Sequence, residues 1–383
     1  MNSATFAQFD PSRVPSPCFV IDRAAVERNL QVLADVQARS GAKVLAALKA
    51  FSFPALGSLT AQYLSGTCSS GVHEALLAHH HYPGEVHVFS AAFKDADIEQ
   101  LLPIADHFVF NSPAQMRRFR AQCQAANIPF GLRVNPEHSE GAVELYDPCA
   151  PCSRLGTPAP QLQDQDLQGI SGLHFHTLCE QGFEPLARTL DAFEARFGHL
   201  LADLTWVNFG GGHHITAPGY DIEGLIARIR AFSERYQVQV YLEPGEAIAI
   251  RSGVLVAEVL DLPHNGMDLA ILDTSATCHM PDTLEMPYRA EIHQAGEPGE
   301  KAHSYRLGGQ TCLAGDVIGD YSFDEPLQLG QRLMFDDMAH YTLVKTNTFN
   351  GIPLPSLALW DSRTDELKVV REFGYQDFAS RLG

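Results

Sequence analysis

Short apolar and β-branched segments recur along the first two thirds of the chain and predict strands. They lie at residues 43–50, 66–70, 85–90, 107–111, 130–135, 170–177, 204–212 and 238–244. Between them, apolar residues stand three and four positions apart, as in helices packed on one face, most clearly at 24–38, 114–126, 185–200 and 222–236. Eight alternating units predict a (β/α)8 barrel. A doubly wound open sheet is the alternative, because a sequence pattern does not show closure.

The pattern changes after residue 246. Apolar runs at 253–260, 269–272 and 331–335 are broken by Gly, Pro and Asp, and no long helical period follows. This pattern of short apolar runs predicts a C-terminal β-domain of the sandwich or barrel type. Residues 18–22 are also strand-like and precede the first barrel helix, so we expect them to pair with the later sheet. The predicted domains are therefore 22–247 for the barrel, and 1–21 with 248–383 for the β-domain.

Composition and charge narrow the possible partners. The chain has 383 residues, 45% of them hydrophobic and 19% charged, which is typical of a folded protein. Its 27 Lys and Arg against 46 Asp and Glu give a net charge of −19. Such a chain repels phosphate backbones and anionic lipids, so we expect neither nucleic acid nor membrane as partner and favour a cationic small molecule.

The compartment is predicted from the chain's start and its cysteines. The N-terminus has no basic start followed by an apolar stretch, and no apolar run approaches the roughly 18–20 residues that span a bilayer. Among eight cysteines only Cys149 and Cys152 lie close in sequence, which favours reduced thiols over a disulfide framework or a zinc site. We expect a cytoplasmic protein.

Candidate chemistry lies where the barrel strands end, because active sites of such barrels form at the C-terminal ends of the strands. Lys49 is the least expected residue there, since an unpaired ammonium in an apolar strand is costly to desolvate. Its neutral amine could act as a Schiff-base nucleophile. The alternative is an ordinary strand-end lysine that reaches solvent.

Three further features stand at later strand ends. Glu243 follows the eighth strand and could keep a pyridinium nitrogen protonated, or belong to a simple turn. His174 and His176 share one face of the sixth strand, where one could stack on a flat ring; a core histidine or a metal ligand is the alternative. A glycine run after the seventh strand could offer backbone N–H groups to a phosphate, or form a tight turn. These glycines are Gly210, Gly211 and Gly212.

The order of these features resembles the fold-type III pyridoxal-phosphate enzymes, which include alanine racemase and the ornithine, arginine and diaminopimelate decarboxylases. The resemblance covers essentially the whole chain. Within that group, five motifs are similar to the decarboxylases of carboxylated polyamines: residues 47–50, 146–149 with 153–156, 209–214, 243–246 and 338–341. The resemblance implies pyridoxal 5′-phosphate as cofactor and decarboxylation of carboxynorspermidine and carboxyspermidine. A decarboxylase or racemase of another basic amino acid, such as diaminopimelate or ornithine, is the alternative.

The resemblance also implies roles for the motif residues. Lys49 would hold the cofactor as a Schiff base, and His176 would stack on its ring. Glu243 would pair with the pyridine nitrogen, while the three glycines would hold the phosphate. Tyr341 would reach the phosphate from the β-domain, and Arg154 would lie near the cofactor's ring oxygen or the substrate.

The segment 308–316 resembles one that, in these decarboxylases, crosses a dimer interface into the partner's site, which implies a homodimer with shared active sites. Cys312 matches the thiol expected to protonate the carbanion, and Asp316 matches the carboxylate that meets a distal substrate amine. Asp273 and Glu246 are further candidates for binding the cationic substrate. Glu246 stands where the amino-acid decarboxylases usually carry an arginine that supports the phosphate.

Two other classes of protein compete with this interpretation. A chain with 17 histidines could be a metal-dependent hydrolase, but the histidine clusters lack neighbouring Asp or Glu ligands, so we expect no metal. A cofactor-carrying binding protein without turnover would resemble the barrel and end before the β-domain.

Overall fold

A computed structural model describes residues 4–141, 143–163 and 166–383. The chain separates into two compact units: Glu27–Ile248, and the residues up to Val26 together with Ala249–Gly383. Within the described residues, no helix combines the length and the apolar character that crossing a membrane requires.

The elements of the first two thirds of the chain alternate as the hydrophobic pattern predicts. The strands are β1 (Cys18–Asp22), β2 (Lys43–Ala47), β3 (Gly66–Ser69), β4 (Glu85–Ser90), β5 (His107–Phe110), β6 (Phe130–Asn135), β7 (Thr157–Pro158), β8 (Gly172–His174), β9 (Trp206–Asn208) and β10 (Gln239–Leu242). The helices are α1 (Arg23–Ser40), α2 (Gly57–Tyr63), α3 (Val72–His81), α4 (Asp95–Leu101), α5 (Pro113–Ala125), α6 (Phe183–Phe197), α7 (Ile222–Tyr236) and α8 (Glu246–Ala249).

Eight parallel strands of the Glu27–Ile248 unit close into a barrel. Their order around it is β2, β3, β4, β5, β6, β8, β9 and β10, and the short β7 is attached to β6. The last strand pairs with the first, with Tyr241 opposite Lys43 and Leu242 opposite Val44. This closure confirms the predicted barrel and excludes the open sheet.

The barrel interior is filled near the N-terminal ends of its strands. Trp206, at the start of β9, is buried there against Leu45, Val109 and Tyr241. A Cβ atom on Gly172 of the neighbouring β8 would lie 2.1 Å from the indole ring, so only glycine leaves room for it. Because this end is packed, the polar strand ends on the opposite side remain available for binding.

The second unit is built on one eight-stranded sheet, mostly antiparallel. Its elements after α8 are β11 (Gly253–Asp261), β12 (Leu269–Leu272), α9 (Ala276–His279), α10 (Asp282–Glu285), β13 (His303–Gly308), β14 (Val317–Phe323), β15 (Arg332–Phe335), β16 (Ser356–Asp361), β17 (Glu366–Arg371) and α11 (Tyr375–Ala379). The strand order is β14-β13-β12-β11-β1-β16-β17, with β15 also paired to β11. The predicted β-domain is confirmed.

The N-terminal strand β1 belongs to this second sheet. It pairs antiparallel with β11 and parallel with β16, which confirms that residues 18–22 join the later strands. Both faces of the sheet are covered, because Val254 and Val256 of β11 pack in one apolar cluster while Leu255 and Ala257 pack in another. A strand buried on both faces reads as one continuous apolar run, as β1 and β11 do.

Candidate active site

Lys49 lies in a turn two residues beyond the end of β2. The strand ends at Ala47, and the Lys49 side chain is exposed although Leu48 and Ala50 on either side are buried. It lines a cavity of about 700 Å³ together with the residues Arg133, Arg154 and His176. The strand is therefore shorter than the predicted 43–50, and Lys49 lies just beyond its end rather than within it. The turn presents the amine to the cavity, where solvent lowers the cost of its charge.

Glu243 is the first residue after β10, and its side chain is only 13% exposed. The Nδ2 of Asn208 donates to its Oε1 at 2.7 Å, and His174 Nε2 lies 3.3 Å from its Oε2. Burial by itself raises the pKa of this carboxyl, but His174, the charge of Lys49 and the hydrogen bond from Asn208 together lower the pKa to about 2. Glu243 is thus ionised at neutral pH.

His176 presents a neutral imidazole. Its Nδ1 accepts a hydrogen bond from the backbone N–H of Gly211 at 2.9 Å. Burial, with the positive charges of Lys49 and Arg133 nearby, holds the pKa of His176 well below its usual value. With Nδ1 as acceptor, the ring proton resides on Nε2. The ring is flat, uncharged and fixed in orientation by the backbone.

The glycine turn after β9 passes very close to two neighbouring strand ends. A Cβ on Gly211 would lie 2.0 Å from the carbonyl oxygen of Glu243, and one on Gly212 would lie 1.9 Å from that of Leu178. Gly210 and Gly212 have φ values of 70° and 84°, which favour glycine. The N–H of Gly210 donates to Asn208 Oδ1 at 2.8 Å. Since Gly211 also donates within the protein, phosphate binding by all three glycines stays a prediction.

Arg133 is a site residue that sequence reasoning missed. It lies inside β6, and its Nη2 donates to the carbonyl oxygen of His176 at 3.1 Å. The guanidinium lies 4.7 Å from the centre of the Phe89 ring, and burial lowers the pKa of Arg133 to about 10. The available signal was an arginine within the otherwise apolar run Phe130–Asn135.

The other predicted barrel residues take two different positions. Arg154 is exposed and lines the cavity that contains Lys49. Glu246 begins α8, and its Oε2 lies 2.9 Å from His214 Nε2, with exposed side-chain fractions of 14% and 19%. Glu246 therefore faces a histidine where relatives were expected to place an arginine.

Asp316 is held within the second unit. Its carboxylate is buried and accepts hydrogen bonds from the hydroxyl of Ser275 at 3.0 and 2.9 Å and from the hydroxyl of Thr311 at 2.7 Å. The backbone N–H groups of Thr277 and Thr311 donate to it as well. Because the oxygens are already occupied, the contact of Asp316 with a substrate amine stays a prediction that this geometry does not support.

Three further predicted residues lie in the second unit. Cys312 is exposed, and its backbone N–H donates to Asn350 Oδ1 at 2.9 Å. Tyr341 is half-buried with a left-handed φ of 39°. Asp273 follows β12 and accepts the backbone N–H of Glu258 at 2.8 Å, so it extends the pairing of β11 with β12. Their functional roles stay predictions.

The barrel site thus combines a cavity-facing amine, a buried ionised carboxylate, a neutral imidazole and a tight glycine turn. The first three groups fit pyridoxal phosphate, whose aldehyde, ring nitrogen and ring face need such partners, while contact of the phosphate with the glycine turn stays a prediction. In the part of the chain that the structure describes, no three His, Cys, Asp or Glu side chains come together as a metal site would require.

Comparison with known families defines the class. The family model described as "Pyridoxal-dependent decarboxylase, C-terminal sheet domain" matches residues 18–339. The chain therefore belongs to the pyridoxal-dependent decarboxylases, and it is a lyase that uses pyridoxal phosphate as cofactor. This membership overturns the metal-hydrolase and binding-protein alternatives.

Individual relatives cover nearly the whole chain. It is 44% identical over 380 residues to the carboxynorspermidine/carboxyspermidine decarboxylase of Campylobacter jejuni, spanning 96% of this chain and 99% of that protein. It is 42% identical over 375 residues to the carboxyaminopropylagmatine decarboxylase of Synechocystis, spanning 97% and 96%. The crystal structure of carboxynorspermidine decarboxylase complexed with norspermidine from Campylobacter jejuni matches with a TM-score of 0.89 at 43% identity, covering 96% of this chain and 100% of that chain.

Proposed function

We propose that this decarboxylase acts in polyamine biosynthesis on carboxynorspermidine and carboxyspermidine, giving norspermidine and spermidine. The observation that carries the proposal is the 44% identity, over 96% of the chain, to the Campylobacter jejuni relative named for these two substrates. Each substrate is an α-amino acid whose side chain continues as a cationic amine chain.

Each residue of the barrel site has its own proposed role in the decarboxylation. Lys49 would hold the cofactor through its aldehyde carbon and would be displaced there by the substrate's α-amine. The cofactor supplies an electron sink for the pair released when the bond between Cα and the carboxylate breaks. Ionised Glu243 would accept a hydrogen bond from the ring nitrogen and keep it protonated, while His176 would pack on the ring. Carbon dioxide leaves, and Cα takes up one proton, which we assign to the thiol of Cys312.

Recognition of the cationic tail is the second part of the proposal. The cavity that contains Lys49 is also lined by Glu144 and Asp147. A hydrogen bond between an ammonium and a carboxylate contributes about 1.5–3 kcal/mol. These two residues, with Glu246 near the glycine turn, are therefore our candidates for selecting a polyamine tail. They would repel the distal carboxylate of diaminopimelate.

Carboxyaminopropylagmatine is a second candidate substrate. It is favoured by the 42% identity, over 97% of the chain, to the Synechocystis relative. Its tail ends in a guanidinium where carboxynorspermidine ends in a primary ammonium, so one acidic cavity could accept both.

Turnover of a substrate panel tests the assignment. The purified enzyme, loaded with pyridoxal phosphate, is assayed with carboxynorspermidine, carboxyspermidine, carboxyaminopropylagmatine, diaminopimelate and ornithine, and each product is identified by mass. We expect kcat/KM for the first two to exceed that for the last two by at least about tenfold, since at least one ion pair of about 1.5–3 kcal/mol is lost at about 1.4 kcal/mol per tenfold. A higher kcat/KM for the agmatine derivative would replace our first candidate by the second. Preference for diaminopimelate or ornithine would refute both.

We further propose a cytoplasmic homodimer. All eight cysteines are free, the state expected in a reducing compartment. Around Cys312, the large apolar side chains Leu313, Val317 and Phe349 are 45%, 36% and 41% exposed. Exposed apolar side chains grouped in this way favour an interface, here with a second copy of the chain. Light scattering that shows a monomer at assay concentration would contradict the dimer.

A further inference from the structure

Asn208 connects two parts of the barrel site through one side-chain amide. It is the last residue of β9 and is buried to 1% exposure. Its Nδ2 donates to Glu243 Oε1 at 2.7 Å, and its Oδ1 accepts the backbone N–H of Gly210 at 2.8 Å. The orientation of this amide follows from its partners, because an ionised carboxylate needs a donor and an N–H needs an acceptor.

The glycine turn carries this connection on to the imidazole. Gly211, directly after Gly210, donates its N–H to His176 Nδ1 at 2.9 Å. The carboxylate of Glu243, the amide of Asn208, the glycine turn and the ring of His176 therefore form one hydrogen-bonded series. A displacement of the Asn208 amide alters both the carboxylate and the turn on which the imidazole depends.

We propose that Asn208 is a positioning residue that sets Glu243 and the glycine turn in register with each other, and so aligns the two groups that meet the cofactor's ring nitrogen and ring face. The inference rests on the proposed roles of Glu243 and His176. An amide is required at this position because it donates and accepts at once. Aspartate would keep the acceptor for Gly210 and lose the donor, and alanine would lose both.

A donor–acceptor exchange tests the first half of this series in the protein without cofactor. Asn208→Asp sets two carboxylates against each other, whereas Glu243→Gln keeps an oxygen that accepts from the Asn208 amide and loses only the charge. In the double variant the side chain at position 243 donates and the side chain at position 208 accepts, which is the reverse of the natural direction. We expect Asn208→Asp to lower Tm by at least about 5 °C, and the addition of Glu243→Gln to raise Tm again by at least about 3 °C, although Glu243→Gln by itself lowers Tm. Additive losses in the double variant would refute the direct coupling.

Cofactor affinity separates positioning from a role in folding alone. Dissociation constants of pyridoxal phosphate and of pyridoxal are measured by quenching of intrinsic fluorescence. We expect Asn208→Asp to weaken both ligands by a similar factor, about tenfold, because the defect lies at Glu243. We expect Asn208→Ala to weaken the phosphate-bearing ligand by a further factor of at least about three, since the turn loses its anchor. The double variant should regain part of the Tm lost in Asn208→Asp and still bind both ligands weakly, because Glu243→Gln removes the charge that faces the ring nitrogen.

The outcomes are distinguishable from failure of the proposed substrate. If both Asn208 variants bind pyridoxal phosphate within twofold of the unmodified protein, Asn208 serves folding alone and the positioning role is wrong. Neither Tm nor cofactor affinity depends on which amino acid is decarboxylated. An enzyme that does not turn over carboxynorspermidine would therefore overturn the substrate proposal and leave this test valid.

Discussion

Replacement of Glu243 by glutamine should destabilise the barrel in a pH-dependent way. The pKa of this carboxyl is lowered from 4.5 to about 2. At about 1.4 kcal/mol per unit, this corresponds to at most about 3 kcal/mol of stabilisation at pH 7, because burial also lowers the pKa of His174 and so reduces the positive charge beside Glu243. Because the folded-state pKa lies below the unfolded value, the stabilisation is complete above about pH 4.5 and is lost as the pH falls toward 2. At pH 3.5 about 2 kcal/mol should remain.

Urea unfolding of the cofactor-free protein measures this difference. The chain has two tryptophans, Trp206 and Trp360, and Trp206 fills the barrel. In a Trp360→Phe background, fluorescence therefore reports the unfolding of the barrel. Glu234→Gln, at an exposed position on α7, is the matched control and should change stability by less than about 0.5 kcal/mol.

Two results would refute the reasoning about Glu243. A loss below about 1 kcal/mol at pH 7 would mean that burial cancels the attraction of His174 and Lys49. An equal loss at pH 7 and pH 3.5 would mean that glutamine acts through packing or hydrogen-bond geometry and that the charge contributes nothing.

Three further predictions concern other residues. After borohydride reduction, mass spectrometry should find no cofactor attached to the Lys49→Ala variant, whereas Lys94→Ala, at an exposed position, should retain it. Cofactor attached to Lys49→Ala would refute the role of Lys49 as the attachment point. Mixing inactive Lys49→Ala and Cys312→Ala chains should restore up to about a quarter of wild-type activity if sites are shared, and no recovery after proven subunit exchange would place each site in one chain. Gly211→Ala should lower the free energy of unfolding in urea by more than about 3 kcal/mol, because its Cβ would lie 2.0 Å from a backbone oxygen. Gly182→Ala, whose Cβ would have no atom within 4 Å, should leave it nearly unchanged, and similar losses in both variants would contradict the steric explanation.

Much of the fold could be predicted from the local pattern of apolar residues. The spacing of apolar residues predicted the long amphipathic helices α6 and α7 and all eight barrel strands. Each helix buries one apolar face, and each strand buries a short apolar run. Strands such as β13 and β17 were not predicted. In β17 no residue is fully buried, so Glu366–Arg371 carries only a weak hydrophobic signal. Closure of the barrel by β10 on β2 was also not readable, since it depends on contacts between distant segments.

The sequence by itself determined which chemical groups stand at the strand ends: the lysine after the first barrel strand, the paired histidines, the glycine run and Glu243. The tertiary structure decided how those groups are used. Lys49 lies in an exposed turn, and the carboxylate of Glu243 contacts His174 and Asn208. The N–H groups of Gly210 and Gly211 donate to side chains of the protein. The tertiary structure also showed that Asp316 is held by its own unit. Hydrogen-bond partners, burial and pKa depend on atoms brought together from distant strands, and a local pattern contains no information about those distances.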